Sequence, residues 1–162
     1  METTFQVKLK KIAPVKAMSI RKVATAATLY NESEKAYRKL FEHITEHNGV
    51  LTGEAFIIYH NPEYNPDFID IEYCFVVEEL LPATAIVKAR EIEEQVMASV
   101  VHRGKVETLG FIYSVILDWA KDNNLNVLEG GVRERCSLNQ SFDEGDISAE
   151  ILVPVEKKKT EV

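Results

Sequence analysis

The order of secondary-structure signals along this chain runs twice, and that repetition limits the fold more than any single motif does. The first copy opens with apolar alternation from Phe5 to Met18 around Pro14, which predicts a strand. Asn31 with Glu34 reads as a capped helix start, and Tyr37, Leu40, Phe41 and Ile44 recur at helical spacing. The helix is expected to stop at Asn48-Gly49, with the glycine in the left-handed conformation. Gly53 to His60 and Ile69 to Val77 then read as two strands joined by the turn NPEYNPDF.

After EELLPAT the same order resumes. A strand is expected from about Glu93 to Val101 and a helix from about Glu107 to Asn124, whose apolar face carries Ile112, Val115, Ile116 and Trp119. Val132 to Leu138 and Ile147 to Val155 close the copy, with NQSFDEGD as the loop between them. Superposition sets Val15, Ala17 and Ile20 on Val96, Ala98 and Val101. It also sets Tyr37, Leu40 and Phe41 on Tyr113, Ile116 and Leu117, and Glu72 and Val77 on Glu150 and Val155. The spacing is nearly constant. The expected fold is therefore α+β: two β-α-β-β units (SHS2-type), about 5–78 and 86–156, related by a pseudo-twofold within one domain over 1–162. They share a curved antiparallel sheet with two helices and a central cleft. A seam between units is concave and lined from two sides, so function is sought there.

Composition removes several classes. A net charge of −7 over 162 residues gives no basic footprint for direct nucleic-acid binding. No apolar run approaches the ~18 residues of a membrane span, and METTFQVKLKK has no apolar signal segment, so a cytoplasmic protein is expected. In that reducing setting Cys74 and Cys136 read as small buried hydrophobes.

VRERCSL carries the most chemistry. Alternation puts Val132, Glu134, Cys136 and Leu138 on one face and Arg133, Arg135 and Ser137 on the other. Glu134 then shares an apolar face, where a carboxylate attracts a cation or serves as acid or base. A one-residue slip would instead send it to water, and alternation alone leaves both readings open. Phe56, Tyr59, Tyr73, Phe75, Tyr113 and Trp119 supply aromatic surface for core or pocket. Aligning the halves on Gly53 and Gly131 makes Phe56 the counterpart of Glu134, an aromatic wall facing a carboxylate, which suits flat hydrophobic cations.

HITEH matches the H-x-x-E-H spacing of a zinc peptidase through His43, Glu46 and His47. Its place on the last helical turn, where the dipole favours histidine, and the lack of a third ligand argue against metal. HRGK, at His102 to Lys105, reads as a turn before the second helix rather than a phosphate loop, and no pattern calls for a cofactor. G-x-S-x-G is absent, and nothing in sequence orients a nucleophile.

The HRG run, WAKDNNL, RE in the following strand and AEILVPV at the close resemble the GyrI-like (gyrase-inhibitor-like) family, related to the effector-binding domains of AraC- and MerR-type multidrug regulators. The resemblance covers nearly the whole chain. It implies a duplicated β-α-β-β fold with a central pocket for hydrophobic, often cationic compounds, and a pocket glutamate at the position of Glu134. Two departures stand out: Lys105 and Val106 follow Gly104 where proline and tyrosine are common, and Cys136 replaces a common tyrosine.

The resulting expectation is a stand-alone small-molecule binder with Glu134 as counter-charge and Phe56, Tyr73, Trp119 and Tyr113 as walls. Some stand-alone members of the family look like hydrolases of strained cyclopropane rings, and that reading assigns catalysis to Glu134 with Tyr59 or Tyr113. With no helix-turn-helix in the sequence, a regulatory role would need a separate DNA-binding chain, and inhibition of a target protein is a third possibility.

Overall fold

The fold is described by a computed structural model covering residues 6–63, 65–105, 109–137 and 146–159. In chain order the elements are β1 (Lys8–Ile12), β2 (Val15–Ala24), α1 (Leu29–Glu46), β3 (Leu51–Tyr59), β4 (Ile69–Val77), β5 (Lys88–Ile92), β6 (Gln95–Lys105), α2 (Leu109–Asp122), β7 (Leu125–Val127), β8 (Val132–Ser137) and β9 (Asp146–Lys157). The two expected helices and the repeated order are present. Among the described residues the strands form an antiparallel sheet in the order β1-β6-β9-β8-β3-β4-β2-β5, with β7 added on β9.

That order forces the sheet to curl. Strands β1 and β2 are joined through Ala13-Pro14, and the step from Ile12 to Val15 spans at most about 11 Å. Six inter-strand steps separate the same two strands along the sheet, about 29 Å if it were flat. Only a strongly curled sheet satisfies both. The register runs straight through the bend, since Ile12 pairs with Gln95 and Val15 with Ile92. The proline, which cannot donate to a ladder, sits at the bend between the ladder of β1 on β6 and that of β2 on β5.

The curl also exchanges an arm between the repeats. β1 of the first repeat lies on β6 of the second, and β5 of the second lies on β2 of the first. The arms match in sequence and burial: KLKKI and KAREI each bury only their final isoleucine, Ile12 or Ile92. Two helix-covered cores result, one with Leu40, Ile44, Ile71 and Tyr73 under α1, the other with Ile112, Ile116, Ile151 and Val153 under α2. A third cluster, Ala17, Phe56, Ile58, Cys74, Val76 and Ile92, occupies the opposite face of the sheet, which the curl covers.

Several expected boundaries move. The first strand is two, broken at Ala13-Pro14, and a short β5 precedes β6. Helix α1 starts at Leu29 because the Thr28 carbonyl accepts from Glu32 N–H at 2.9 Å, so Asn31 lies inside the helix rather than capping it. At its end Asn48, not Gly49, takes the left-handed backbone (φ 53°), as Asn124 does after α2 (φ 57°). Gly49 is needed for space: a Cβ there would lie 2.7 Å from Leu81 Cδ1 and 2.8 Å from Ile44 Cγ2. His102 to Lys105 extend β6 against β9 instead of forming a turn. The expected loop over 139–146 lies almost wholly outside the described residues, as does the side chain of Cys136.

The sequence superposition is one residue out in β6. Burial sets Ala17, Met18, Ser19 and Ile20 on Met97, Ala98, Ser99 and Val100, whereas Val96 and Val101 are exposed. Valine matched valine in the sequence, but facing decides equivalence. No described helix is long and apolar enough to cross a membrane.

Candidate ligand site at the pseudo-twofold

The central strands of the sheet are β3 and β8, and their register sets Ile57 opposite Glu134. On β4 Tyr73 pairs with Ile57, and on β9 Ile151 pairs with Glu134. Opposed residues in an antiparallel ladder share a face. One row of side chains therefore crosses the helix-bearing face as Val100, Ile151, Glu134, Ile57, Tyr73 and Ile20, with one carboxylate among apolar neighbours. Since Tyr73 and Ile151 are equivalent in the two repeats, so are their partners Ile57 and Glu134. The pseudo-twofold passes between them.

This geometry selects between the two readings of Glu134: it lies on the helix side and is only partly exposed. Burial raises its pKa above the ordinary carboxylate range, and a hydrogen bond from the Tyr59 hydroxyl to Oε2, 3.4 Å, partly offsets that. Among the described residues no lysine or arginine is paired with it.

Tyrosines gather around the carboxylate from both repeats. Tyr59, two residues from Ile57 on β3, points to the same face. Burial first and the charge of Glu134 second push its pKa well up, with smaller effects from Tyr113, Tyr73 and Tyr37. Burial and Glu134 raise Tyr113 similarly. Both hydroxyls remain protonated. Tyr37 and Tyr113 occupy matching places on α1 and α2, beside the buried stripes Ala36-Leu40-Ile44 and Ile112-Ile116-Ala120. Tyr37 stacks on Phe75 at 5.6 Å and meets Tyr73 edge-on at 5.0 Å. Its place near Tyr59 escaped the sequence reading, although its match with Tyr113 was the available signal.

Other expected wall residues lie elsewhere. Phe56 pairs with Arg135 and so faces away from Glu134; it packs with Cys74 and Ile58 on the opposite face, with the Arg133 guanidinium 5.3 Å from its ring centre. The expected apposition of Phe56 and Glu134 is therefore corrected by one residue, to Ile57. Anchoring on glycines caused the slip, because Gly53 lies within β3 where its ladder is irregular, whereas Gly131 precedes β8. Tyr73 is on the right face but fully buried, its hydroxyl 2.5 Å from Ser33 Oγ. Trp119 packs on the second core, about 240° round α2 from Tyr113 and thus on the other flank of the buried stripe.

The histidines of HITEH are held by backbone: His43 Nε2 donates to the Pro82 carbonyl and His47 Nδ1 to the His43 carbonyl, each at 2.8 Å. Among the described residues no three potential metal ligands converge.

Two other carboxylates, Glu72 buried and Glu150 partly buried, are latches. Glu72 accepts from Ser19 at 2.7 Å, His60 at 2.8 Å and Arg90 at 2.6 Å. Glu150 accepts from Ser99, from Lys10 at 2.6 Å and from Arg135 Nε at 2.9 Å. Arg90 and Lys10 belong to the exchanged arms. Burial disfavours both charges, yet these partners outweigh it and hold both pKa values below the ordinary range. Glu134, with only a long tyrosine bond among the described residues, is the exception.

Among solved structures the chain is similar to the C-terminal domain of EcmrR, at 22% identity and a TM-score of 0.83, with 96% of this chain and all of that one covered. It spans 58% of the EcmrR chain in a complex with DNA, at a TM-score of 0.81. SAV2435 bound to tetraphenylphosphonium is similar at 12% identity and a TM-score of 0.60, over 93% of this chain and 94% of that one. A hydrolase from Listeria innocua reaches 10% identity and a TM-score of 0.69, over 93% and 92%. These likenesses concern the fold. No curated protein matches the chain. The family model described as GyrI-like small molecule binding domain matches residues 5–156, nearly the full length, and the chain belongs to that family.

Proposed function

We propose that the chain binds a hydrophobic, cationic small molecule between its two helices, with Glu134 as the counter-charge. The observation that carries this reading is the desolvated carboxylate beside the pseudo-twofold, with no cation paired to it among the described residues. Burying such a charge is costly, and a ligand cation would repay the cost. Tyr37 and Tyr113 approach from the two helices and offer aromatic faces to a cation, while Tyr59 steadies the carboxylate. SAV2435, of the same fold, binds tetraphenylphosphonium, itself a lipophilic cation.

Calorimetric titration with tetraphenylphosphonium tests the reading. Saturable binding that weakens about tenfold or more in Glu134→Gln is expected. Equal affinity in the two proteins overturns it. The fold shared with the EcmrR–DNA complex also raises a regulatory role.

A second reading is hydrolysis of a strained cyclopropane, favoured by the pairing of a carboxylate of raised pKa with protonated tyrosines. Glu134 would take a proton from water as its oxygen bonds to a ring carbon, and the breaking C–C bond would leave its electron pair to be protonated by Tyr59 or Tyr113. Product in excess of enzyme, lost in Glu134→Gln, would establish turnover.

A further inference from the structure

The face of the sheet away from the helices holds a second polar feature that the Glu134 reading does not use. A cavity of about 190 Å³ opens there, with Arg133, Arg90, His60 and Gln95 among its walls and Ile58, Ile92 and Met97 as apolar surface. Arg90 and His60 are engaged with Glu72. Arg133 is not: it is only 8% exposed, makes no hydrogen bond or ion pair to another described residue, and rests one side on Phe56. Burial desolvates this guanidinium, a cost that one aromatic face only partly offsets, while its nitrogens keep contact with the cavity, where an anion can reach them.

We infer that this cavity is a second site, for a small organic carboxylate anchored by Arg133. Three features set the ligand class. The planar guanidinium fork matches a carboxylate through two parallel hydrogen bonds, and Gln95 can donate a further one. The aliphatic walls favour a compact apolar body over an inorganic oxyanion. The volume falls below the about 300 Å³ at which drug-sized pockets begin, so the ligand is small. Because Arg133 and Glu134 are adjacent on one strand, they serve opposite faces and opposite charges.

The test uses sodium benzoate, with neutral benzamide as its isostere, followed by the Arg133 side-chain N–H resonance of the full chain. Benzoate is expected to bind saturably at one site, shift that resonance and bind about tenfold to a hundredfold more tightly than benzamide. In Arg133→Met, checked for folding by circular dichroism, benzoate affinity is expected to fall by a similar factor. Benzoate shifts that do not saturate, that spare Arg133, or that persist unchanged in Arg133→Met overturn the inference. Should Arg133→Met fail to fold, the benzoate and benzamide comparison on the unaltered protein decides. Tetraphenylphosphonium binding is unaffected by either outcome, so this site and the Glu134 site stand or fall separately.

Discussion

Glu134 and Ile57 face one another across the two central strands and are also the residues that the pseudo-twofold exchanges. The fold is thus closest to symmetric where its chemistry is least symmetric. A carboxylate beside the axis lies within reach of Tyr113 and Tyr59, which come from different repeats.

Cation affinity is expected to rise with pH as Glu134 ionises. Burial holds its pKa up, so the midpoint should lie above that of an exposed glutamate, and Tyr59→Phe, by removing the hydrogen bond that lowers it, should move the midpoint higher still. Tetraphenylphosphonium titrations across the acid-to-neutral range check this, with a flat profile expected for Glu134→Gln.

Stability should carry two opposite pH signatures. Glu134 has a raised folded-state pKa, so its contribution is full at low pH and is lost as pH rises through that pKa; Glu134→Gln should therefore raise the urea midpoint near neutrality. Glu72 has a lowered pKa, so its contribution is present above the ordinary carboxylate range and is lost as pH falls through the folded value. Glu72→Gln should cost about 2 kcal/mol at pH 7, below the 3–5 of fully buried pairs, because the Arg90 side chain is 38% exposed.

Tyr73→Phe should separate core from pocket. Loss of the bond to Ser33 is expected to cost about 1 kcal/mol in denaturant unfolding, while tetraphenylphosphonium affinity stays within about twofold, since Tyr73 is fully buried. A larger loss of affinity would return Tyr73 to the wall of the site.

Gly49→Ala should destabilise the protein by about 1–3 kcal/mol through overpacking against Leu81 and Ile44. Asn48→Gly should be neutral or slightly stabilising, because Asn48 already holds a left-handed backbone. Thermal unfolding of the two variants distinguishes a need for space from a need for conformation.

Periodicity made the helices and β4 legible, because Leu40 and Ile44, or Ile71 and Tyr73, announce a buried face whatever their partners are. It also put Glu134 on the apolar side of its strand. Register between distant strands was not legible: Val15 matches Val96 as a letter, but only pairing shows that Ser19 and Ser99 correspond. Phe56 was misplaced by the same one-residue ambiguity, which in a strand reverses the face. The exchanged arms escaped notice because Lys8–Ile12 looked continuous with the strand after Pro14, and nothing local reveals which edge a short strand will join.

The arms of β1 and β5 also bear on how such a chain can have arisen. Half of it, folded alone, would leave its arm without an edge, and two identical halves could satisfy each other only as a twofold dimer. In that dimer the residues facing each other on the axis would be the same: two isoleucines, with no charge to offer, or two glutamates, repelling at close range. Fusion into one polypeptide is what lets the two places differ, so the lone carboxylate at Glu134 is a property that no assembly of identical halves can possess.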